Sequence, residues 1–341
     1  MTKVNIPTVK LNNGLEMPVL GLGTWLGVDD KLQFLTADIP KLVEALSYAI
    51  DIGYKYLDTA HLYRVEPEIG QVLNKKIREG VIKREDVFIT TKIWQHNHRE
   101  SDAIQSVKDS LRRLNLDYVD QVLIHWPMSF TPEGVDEKID YLETWRGLEK
   151  VLEMGLVKSI GVSNFNVDQL KRLLANCRVP PVVNQVEINL TLGQKELVDF
   201  CQSNKIQVVA YSPFGAMMPF RQLPDSPEPK LNNPTMLAIA KKYGKTVTQI
   251  TLRYLYQRNI ISIPKTITKS RLVENASIFD FNLDADDVAV IAKFDVGYRS
   301  ILPVFWQDLE NYPFPNERRP EKEDPPLCYR IWKNGANADI D

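Results

Sequence analysis

Cysteine is scarce in this chain of 341 residues: Cys177, Cys201 and Cys328 lie far apart, and there is no C-x-x-C pair. An odd number of widely spaced cysteines argues against a disulfide framework and against a structural zinc held by thiolates. The stretch "HNH" at 96–98 looks like a metal-binding pair, but it lacks further ligands, so we expect no metal site. The cysteine usage therefore favours a reducing compartment.

Charge of one sign is not in excess either, because 42 basic and 44 acidic side chains leave a net charge of −2. This balance argues against a nucleic acid or a membrane surface as the partner. The chain lacks the roughly 20 consecutive apolar residues that a spanning helix needs, and the opening "MTKVNIPTVK" has no signal-peptide stretch. We expect a soluble, cytoplasmic and monomeric protein that acts on a small molecule.

Short β-branched runs alternate with amphipathic stretches along most of the chain. This alternation predicts right-handed βαβ units and a parallel sheet. Strands in this number, over about 250 residues, predict a (β/α)8 TIM barrel, and a doubly wound sheet is the alternative. Helices are predicted over 40–53, 99–116 and 138–155. The predicted strands are 18–24, 54–60, 87–93, 119–125, 157–163, 181–188, 208–213 and 260–265.

The segments outside this alternation have predictions of their own. Residues 8–18 predict a hairpin around Asn12-Asn13-Gly14, which would cap one end of the barrel. Residues 214–234 are proline-rich and without periodicity, which is typical of a functional or disordered loop. Residues 295–341 combine aromatics, prolines and charges, and we expect a substrate loop and tail there. Nothing indicates a second folded unit, so one domain over 1–341 is predicted.

Polar residues recur where the predicted strands end. In a parallel barrel these ends converge on the face that carries function. Taken singly, each has an ordinary explanation, such as a helix cap for Asp58, a lysine reaching solvent for Lys92 or a packed histidine for His125. Recurrence at matching positions favours a site. These residues are Asp58, Lys92, His125, Ser163, Asn164, Gln185, Tyr211, Ser212, Lys265 and Thr266.

Four of the residue types suggest a common chemistry. The tyrosine of "YLDTAHLY", Tyr63, holds its proton at neutral pH because a phenol has a pKa near 10. An ammonium nearby would lower that pKa towards the range of a general acid. A carboxylate would keep the buried ammonium charged, and a neutral imidazole could orient a carbonyl oxygen. Together they would protonate an oxygen that gains negative charge, while the hydride must come from elsewhere.

The motifs "YLDTAHLYRVEPEIG", "TTKIW", "LIHWP", "GVSNF", "NQVE", "AYSPFG", "IPKT" and "RLVEN" occur in this order. In this the chain resembles the aldo-keto reductases from about Val9 to the tail. The resemblance implies that Tyr63 is the proton donor, that Lys92 lowers its pKa, that Asp58 pairs with Lys92 and that His125 orients the carbonyl. Two positions depart from the family pattern, since Val65 stands where many members have asparagine and "IPKT" replaces "IPKS".

The resemblance also implies a nicotinamide dinucleotide bound without a Rossmann fold. In agreement, "GLGTWLG" has Leu26 where G-x-G-x-x-G requires its third glycine. Lys265, Thr266 and Arg271 suit a 2′-phosphate, so NADPH/NADP+ is expected over NADH. The remaining cofactor residues that the resemblance implies are Gly23, Thr24, Trp25, Asp58, Ser163, Asn164, Gln185, Tyr211, Ser212, Phe214, Glu274 and Asn275.

On the substrate side, the resemblance implies an apolar slot of aromatic residues with polar groups at its base. Ordinary core and tail packing is the alternative, above all for Phe305 and Trp306. The tail is similar to insect members of the family, including reductases of ecdysteroid ketones. Small hydrophobic aldehydes and ketones are the expected substrates, with steroid ketones such as 3-dehydroecdysone among them. The candidates are Trp25, Tyr63, Trp94, His125, Trp126, Phe130, Phe305 and Trp306.

Two functions of other classes use the same fold. One is a non-catalytic, NADPH-binding regulatory subunit, as in the channel-associated β subunits, and the other is a structural protein of the lens-crystallin type. Neither needs a proton donor, so a complete group of Asp58, Tyr63, Lys92 and His125 favours the reductase.

Overall fold

A computed structural model of the chain describes residues 3–27, 34–131, 134–303 and 306–317. It opens with an antiparallel hairpin of β1 (Thr8–Lys10) and β2 (Glu16–Pro18). Leu11 and Met17 of this hairpin pack into an apolar cluster with residues from the barrel strands. The hairpin therefore caps the barrel at one end, as predicted.

The barrel itself is an eight-stranded parallel sheet in which each strand pairs with its neighbour in the sequence. Parallel bridges from Leu20 to Ser262 and from Gly23 to Lys265 join the first and last strands. The sheet is therefore closed, and the predicted (β/α)8 barrel is confirmed. Its strands are β3 (Leu22–Gly23), β4 (Tyr56–Asp58), β5 (Phe88–Ile93), β6 (Gln121–Ile124), β7 (Ile160–Ser163), β8 (Val183–Glu187), β9 (Gln207–Tyr211) and β10 (Ile260–Ser262).

Helices follow the strands and bury their apolar faces against the outside of the sheet, where Leu46, Leu148 and Leu252 belong to one large core cluster. None of the helices in the described ranges has the length and apolar character that crossing a membrane requires. The helices are α1 (Ile39–Ile52), α2 (Glu66–Arg78), α3 (Glu100–Leu114), α4 (Tyr141–Glu153), α5 (Val167–Asn176), α6 (Lys195–Ser203), α7 (Pro234–Tyr243), α8 (Val247–Gln257), α9 (Lys269–Ala276) and α10 (Ala285–Ala292).

Local capping shortens the predicted elements. Helix α4 begins at Tyr141 instead of residue 138, because the Asp140 side chain accepts a hydrogen bond from the backbone N–H of Leu142. It ends at Glu153, and the predicted cap Gly155 follows two residues later with a φ of 72°.

The loop at 214–234, which lacked periodicity, contains two short 3-10 turns at Gly215–Met217 and Pro219–Arg221.

One close helix contact gives a stability prediction. A Cβ atom at Gly70 in α2 would lie 2.1 Å from the carbonyl oxygen of Leu114 at the end of α3. Backbone cannot move aside as a flexible side chain can, so Gly70→Ala should lower the free energy of unfolding by roughly 2 kcal/mol. The exposed Lys75 on the same helix provides the control, since Lys75→Ala should leave stability nearly unchanged. Equal denaturation midpoints for both variants would contradict the packing.

Candidate active site

A buried ion pair lies at the centre of the strand-end face. The Lys92 Nζ on β5 lies 2.6 Å from Asp58 Oδ1 at the end of β4, and both side chains are almost fully buried. The same Nζ donates to the backbone carbonyl of Thr59 at 3.0 Å. Burial lowers the pKa of Lys92 and the charge of Asp58 opposes this effect. The predicted pairing of Lys92 with Asp58 is thus present.

Tyr63 lies next to this ion pair, in contact with Lys92. It lies in a 3-10 turn, His61–Tyr63, and its hydroxyl oxygen accepts a hydrogen bond from Lys92 Nζ at 3.3 Å. Burial raises the pKa of the Tyr63 hydroxyl well above its usual value, and the negative charge of Asp58 acts in the same direction. The direction expected from the sequence was the opposite. The difference arises because burial of the phenol dominates and the charge of Lys92 is already paired with Asp58, so Tyr63 keeps its proton.

His125 directly follows β6 and completes the group. Its ring is edge-on to Tyr63, with centroids 5.9 Å apart, and to Trp94, with centroids 5.2 Å apart. Burial lowers the pKa of His125 well below its usual value, and the positive charge of Lys92 adds to this. The imidazole is therefore neutral at physiological pH, as the expected carbonyl-orienting role requires.

A hydrogen-bond network supports these four residues from the neighbouring strands. Gln185 on β8 donates to Asp58 Oδ2 at 2.7 Å. Asn164 donates to the backbone carbonyl of His125 at 2.9 Å and accepts from the Tyr211 hydroxyl at 2.8 Å. Ser163 donates to the backbone carbonyl of Gln185 at 2.8 Å. Of the residues expected to bind a nicotinamide carboxamide, Gln185 contacts the ion pair, while Ser163 and Asn164 bond to its neighbours Gln185, His125 and Tyr211.

At the end of β3, close packing explains why glycine and threonine occupy positions 23 and 24. A Cβ atom at Gly23 would lie 2.8 Å from the carbonyl oxygen of Ile263. Thr24 is buried and its hydroxyl donates to the Asp58 carbonyl at 2.9 Å. Trp25 is half-buried and its ring centroid lies 5.2 Å from that of Tyr63. Gly23 and Thr24 therefore have structural roles, while Trp25 also faces the site.

Beyond β9, Ser212 and Phe214 are half-buried, and Ser212 has a φ of 48°. Beyond β10, Lys265 is exposed while Thr266 is buried and accepts the N–H of Thr268. Arg271 is exposed in the first turn of α9, and within the described ranges its guanidinium group has no hydrogen bond or ion pair. Lys265 and Arg271 are thus available to an anion near a helix N-terminus.

The two residues expected at an adenine edge differ in their surroundings. Glu274 Oε1 accepts hydrogen bonds from the hydroxyls of Thr246 at 2.8 Å and Thr248 at 2.6 Å, at the start of α8. Asn275 is buried in α9. Sequence motifs did not indicate the two threonines, because they belong to an ordinary helix cap. They fix the orientation of the Glu274 carboxylate.

The aromatic residues expected to line a substrate slot form a packed cluster beside His125. Phe305 lies outside the described residues. Trp94, Trp126, Phe130 and Trp306 are buried, so they lie behind the accessible surface instead of lining an open slot. The half-buried members are Trp25, Phe34, Tyr63 and Leu309. Phe34 and Leu309 come from irregular segments and had no sequence signal.

The segment that carries Trp306 is anchored by the carboxylate of Glu187, which no sequence motif indicated. Glu187 ends β8, is fully buried and accepts the backbone N–H groups of Ser300 at 3.0 Å and Ile301 at 2.8 Å. Arg299 pairs with Glu317 at 2.9 Å. In the sequence, the acidic residue at the end of the buried strand "NQVE" was the only indication of this role.

Among the described residues, no cluster of three His, Cys, Asp or Glu side chains could hold a metal.

A protonated phenol, an ammonium ion and a neutral imidazole thus meet at the strand ends of a barrel. Such a group can give a proton to an oxygen that gains negative charge, or accept one in the reverse direction. The fold and the site together define a class of barrel enzymes that interconvert carbonyl compounds and alcohols with an external hydride source.

The chain belongs to the aldo/keto reductase family, whose family model matches residues 19–296. A crystal structure of aldo-keto reductase AKR2E5 complexed with NADPH is 65% identical, with a TM-score of 0.91 over 97% of this chain and 99% of that one. The AKR2E4 enzyme of Bombyx mori, solved in complex with NADP, is 41% identical with a TM-score of 0.87 over 91% of this chain and 99% of its own. The rat aldo-keto reductase family 1 member C18 is 37% identical, covering 92% of this chain and 98% of the relative.

The buried ion pair gives a second stability prediction. Lys92→Met removes the cation and leaves the Asp58 carboxylate buried without its charge partner, so stability should fall by about 3–5 kcal/mol. Adding Asp58→Asn removes the orphaned charge, and the double variant should be more stable than Lys92→Met alone. Chemical denaturation of both single variants and the double variant measures this coupling. Additive losses would contradict a paired, buried charge.

Proposed function

We propose that the protein reduces aldehydes and ketones to alcohols with NADPH, and that Tyr63 is the proton donor. The observation that carries the proposal is the contact of the Tyr63 hydroxyl with Lys92 at 3.3 Å, beside the Lys92–Asp58 pair at 2.6 Å. The family, and the NADPH and NADP complexes of similar proteins, support the same reaction type.

The residues present fit the nicotinamide dinucleotide phosphate NADPH/NADP+. Tyr211 is half-buried, with its hydroxyl bonded to Asn164, and its ring would stack on the nicotinamide. Ser163, Asn164 and Gln185 would hold its carboxamide, and Ser212 and Phe214 would lie by the diphosphate. Gly23, Thr24 and Trp25 would lie on the nicotinamide side, and Glu274 and Asn275 at the adenine. When bound, the cofactor supplies a hydride for the carbonyl carbon.

The side chains of the protein orient the carbonyl group and supply the proton for its oxygen. His125 is neutral and can donate one ring N–H to the carbonyl oxygen, which polarises and orients the carbonyl group. Tyr63 keeps its proton until that oxygen becomes basic and then gives it up. Lys92 donates a hydrogen bond to the phenolate that forms, and Asp58 keeps Lys92 charged. Asp58 thus supports the proton transfer through Lys92, in addition to the direct effect of its charge on the pKa of Tyr63.

The preference for NADPH over NADH rests on the two cations beyond β10. Lys265 and Arg271 are exposed beside the N-terminus of α9, and an arginine can bind a phosphate in a bidentate manner. The neighbouring cation Lys269 contacts Glu44 at 3.2 Å and is already paired. Lys265, Thr266 and Arg271 would therefore hold a 2′-phosphate.

The apolar residues around the polar group of Tyr63, Lys92 and His125 determine the class of substrate. Trp25, Phe34 and Leu309 are the half-buried apolar residues grouped with Tyr63, and Trp94, Trp126, Phe130 and Trp306 support them from behind. Such walls suit small hydrophobic aldehydes and ketones. Steroid ketones such as 3-dehydroecdysone belong to the same proposal, and a panel of carbonyl compounds that includes them would define the range.

Replacing the proton donor tests the proposed role of Tyr63. Tyr63→Phe removes one hydroxyl and keeps the ring, so NADPH-dependent reduction of an aromatic aldehyde should fall by at least about 1,000-fold. NADPH binding, followed by fluorescence titration, should stay within about threefold because the ring still packs. Surviving turnover would rule out Tyr63 as the acid. An unsubstituted protein that binds NADPH but reduces nothing would favour a regulatory subunit.

Replacing the two cations tests the choice of cofactor. Lys265→Ala with Arg271→Ala removes two charge-assisted contacts, so the Kd for NADPH should rise at least about 30-fold, equivalent to roughly 2 kcal/mol. The Kd for NADH should change by less than about threefold, because NADH lacks the 2′-phosphate. Lys269→Ala is the matched control and should change neither value. Equal losses for both cofactors would refute the assignment of the 2′-phosphate site.

A further inference from the structure

Glu66 is a buried carboxylate that the proton chemistry above does not use. It begins α2, three residues after Tyr63, and is only 1% exposed. Its Oε1 accepts a hydrogen bond from the Thr91 hydroxyl at 2.6 Å, and its Oε2 accepts one from Arg113 Nε at 2.7 Å. A buried carboxylate is costly unless it is paired, and here each oxygen has a partner. The partners come from two other elements, β5 and α3.

Arg113 extends this pairing to the other side of Tyr63. Its Nη2 lies 2.5 Å from His61 Nδ1 and 3.0 Å from Ser110 Oγ. A guanidinium group can only donate, so Nδ1 is the acceptor. Burial and the charges of Arg113 and Arg64 lower the pKa of His61 to about 4, which keeps this acceptor available at neutral pH. One arginine therefore holds His61, two residues before Tyr63, and Glu66, three residues after it.

The contact of Glu66 with Thr91 connects the same turn to the strand of the ammonium. Thr91 immediately precedes Lys92 on β5, and successive strand side chains point to opposite faces of the sheet. Glu66 thus contacts β5 from the helix layer, while Lys92 faces the barrel interior. The Tyr63 turn and the Lys92 strand are tied together by a bond that lies outside the site itself.

We propose that Glu66 and Arg113 are positioning residues of the reduction. They hold the turn of Tyr63 against β5, so that the phenol oxygen stays within reach of the Lys92 ammonium. Its bond to Thr91 also places the Glu66 carboxylate one residue from Lys92 along β5, where its negative charge assists that of Asp58 in keeping Lys92 protonated. The inference rests on the proposed function, because it assigns residues that act through Tyr63 and Lys92.

The electrostatic part of the proposal has a definite sign. Asp58, Tyr63 and His125 are the titratable groups beside Lys92 in the barrel interior, whereas Glu66 acts on Lys92 from the other face of β5. Burial lowers the pKa of Lys92, whereas Asp58 and, more weakly, Glu66 raise it. The pKa of Tyr63 is raised, so Lys92 loses its proton before Tyr63 as the pH rises. Removing the charge of Glu66 should therefore move the alkaline fall of kcat to lower pH.

Glu66→Gln keeps the size of the side chain and removes its charge. For aldehyde reduction we expect kcat to fall about tenfold or more with KM within about twofold, since misplacing a reacting group mainly lowers kcat. The alkaline limb of kcat should shift to lower pH. Arg113→Ala should lower kcat by a similar factor, and Arg113→Lys should recover part of it because the charge is kept.

Glu149 provides the matched control. It is an equally buried carboxylate on α4 that accepts bonds from the backbone N–H groups of Arg178 at 2.7 Å and Val179 at 2.9 Å, and it contacts none of the four residues around Lys92. Glu149→Gln should keep the kcat and the pH profile of the unsubstituted protein. A Glu66→Gln variant that behaves like Glu149→Gln, or that loses kcat without a shift of the alkaline limb, would overturn the proposal.

A measurement without turnover separates this inference from the proposed function. Amide hydrogen exchange over residues 61–66 should be faster in Arg113→Ala than in Glu149→Gln if Arg113 holds the turn. Unchanged exchange would overturn the positioning role whether or not the protein reduces aldehydes. An unsubstituted protein without any carbonyl reduction would instead refute the proposed function, and the exchange result would still decide the positioning role.

Discussion

The buried contact between Lys92 and Asp58 is the constraint around which the strand-end face is built. An ammonium ion away from water is costly and would lose its proton without a partner. The carboxylate at 2.6 Å meets that requirement, and Gln185 in turn satisfies the second carboxylate oxygen at 2.7 Å. Lys92 and Asp58 lie on neighbouring strands, whereas Gln185 reaches Asp58 from the opposite side of the barrel, a contact that the closed sheet makes possible.

The same pair explains the state of the tyrosine beside it. Since the charge of Lys92 is largely balanced, burial determines the pKa of Tyr63, and the phenol keeps its proton. The Tyr63 hydroxyl therefore still carries the proton that it would donate to the substrate. Around it the polar groups fall into two sets: Thr24, Ser163 and Gln185 have partners within the protein, whereas Lys265 and Arg271 are exposed to a ligand.

Much of this architecture could be predicted from the sequence, because apolar runs with polar ends determine both the strands and the face on which Asp58, Lys92 and His125 meet. Strand lengths were overestimated, since a strand ends where its pairing stops and not where its apolar residues do. The direction of the Tyr63 pKa, the burial of Trp126 and Phe130, and the contacts of Glu274 with Thr248 could not be read from the sequence. Each depends on which groups lie together in space, as do the roles of Glu66 and Glu187.

Isotope transfer tests the central claim most directly. The purified protein would be incubated with NADPH carrying two deuterium atoms at C4 of the nicotinamide and with an aromatic aldehyde, and the product would be examined by mass spectrometry and NMR. The account predicts an alcohol with one deuterium on the carbon that bore the carbonyl oxygen, because the hydride comes from the cofactor and the hydroxyl proton from the protein. Bound NADPH with no deuterated alcohol, under conditions in which the protein is folded, would contradict it.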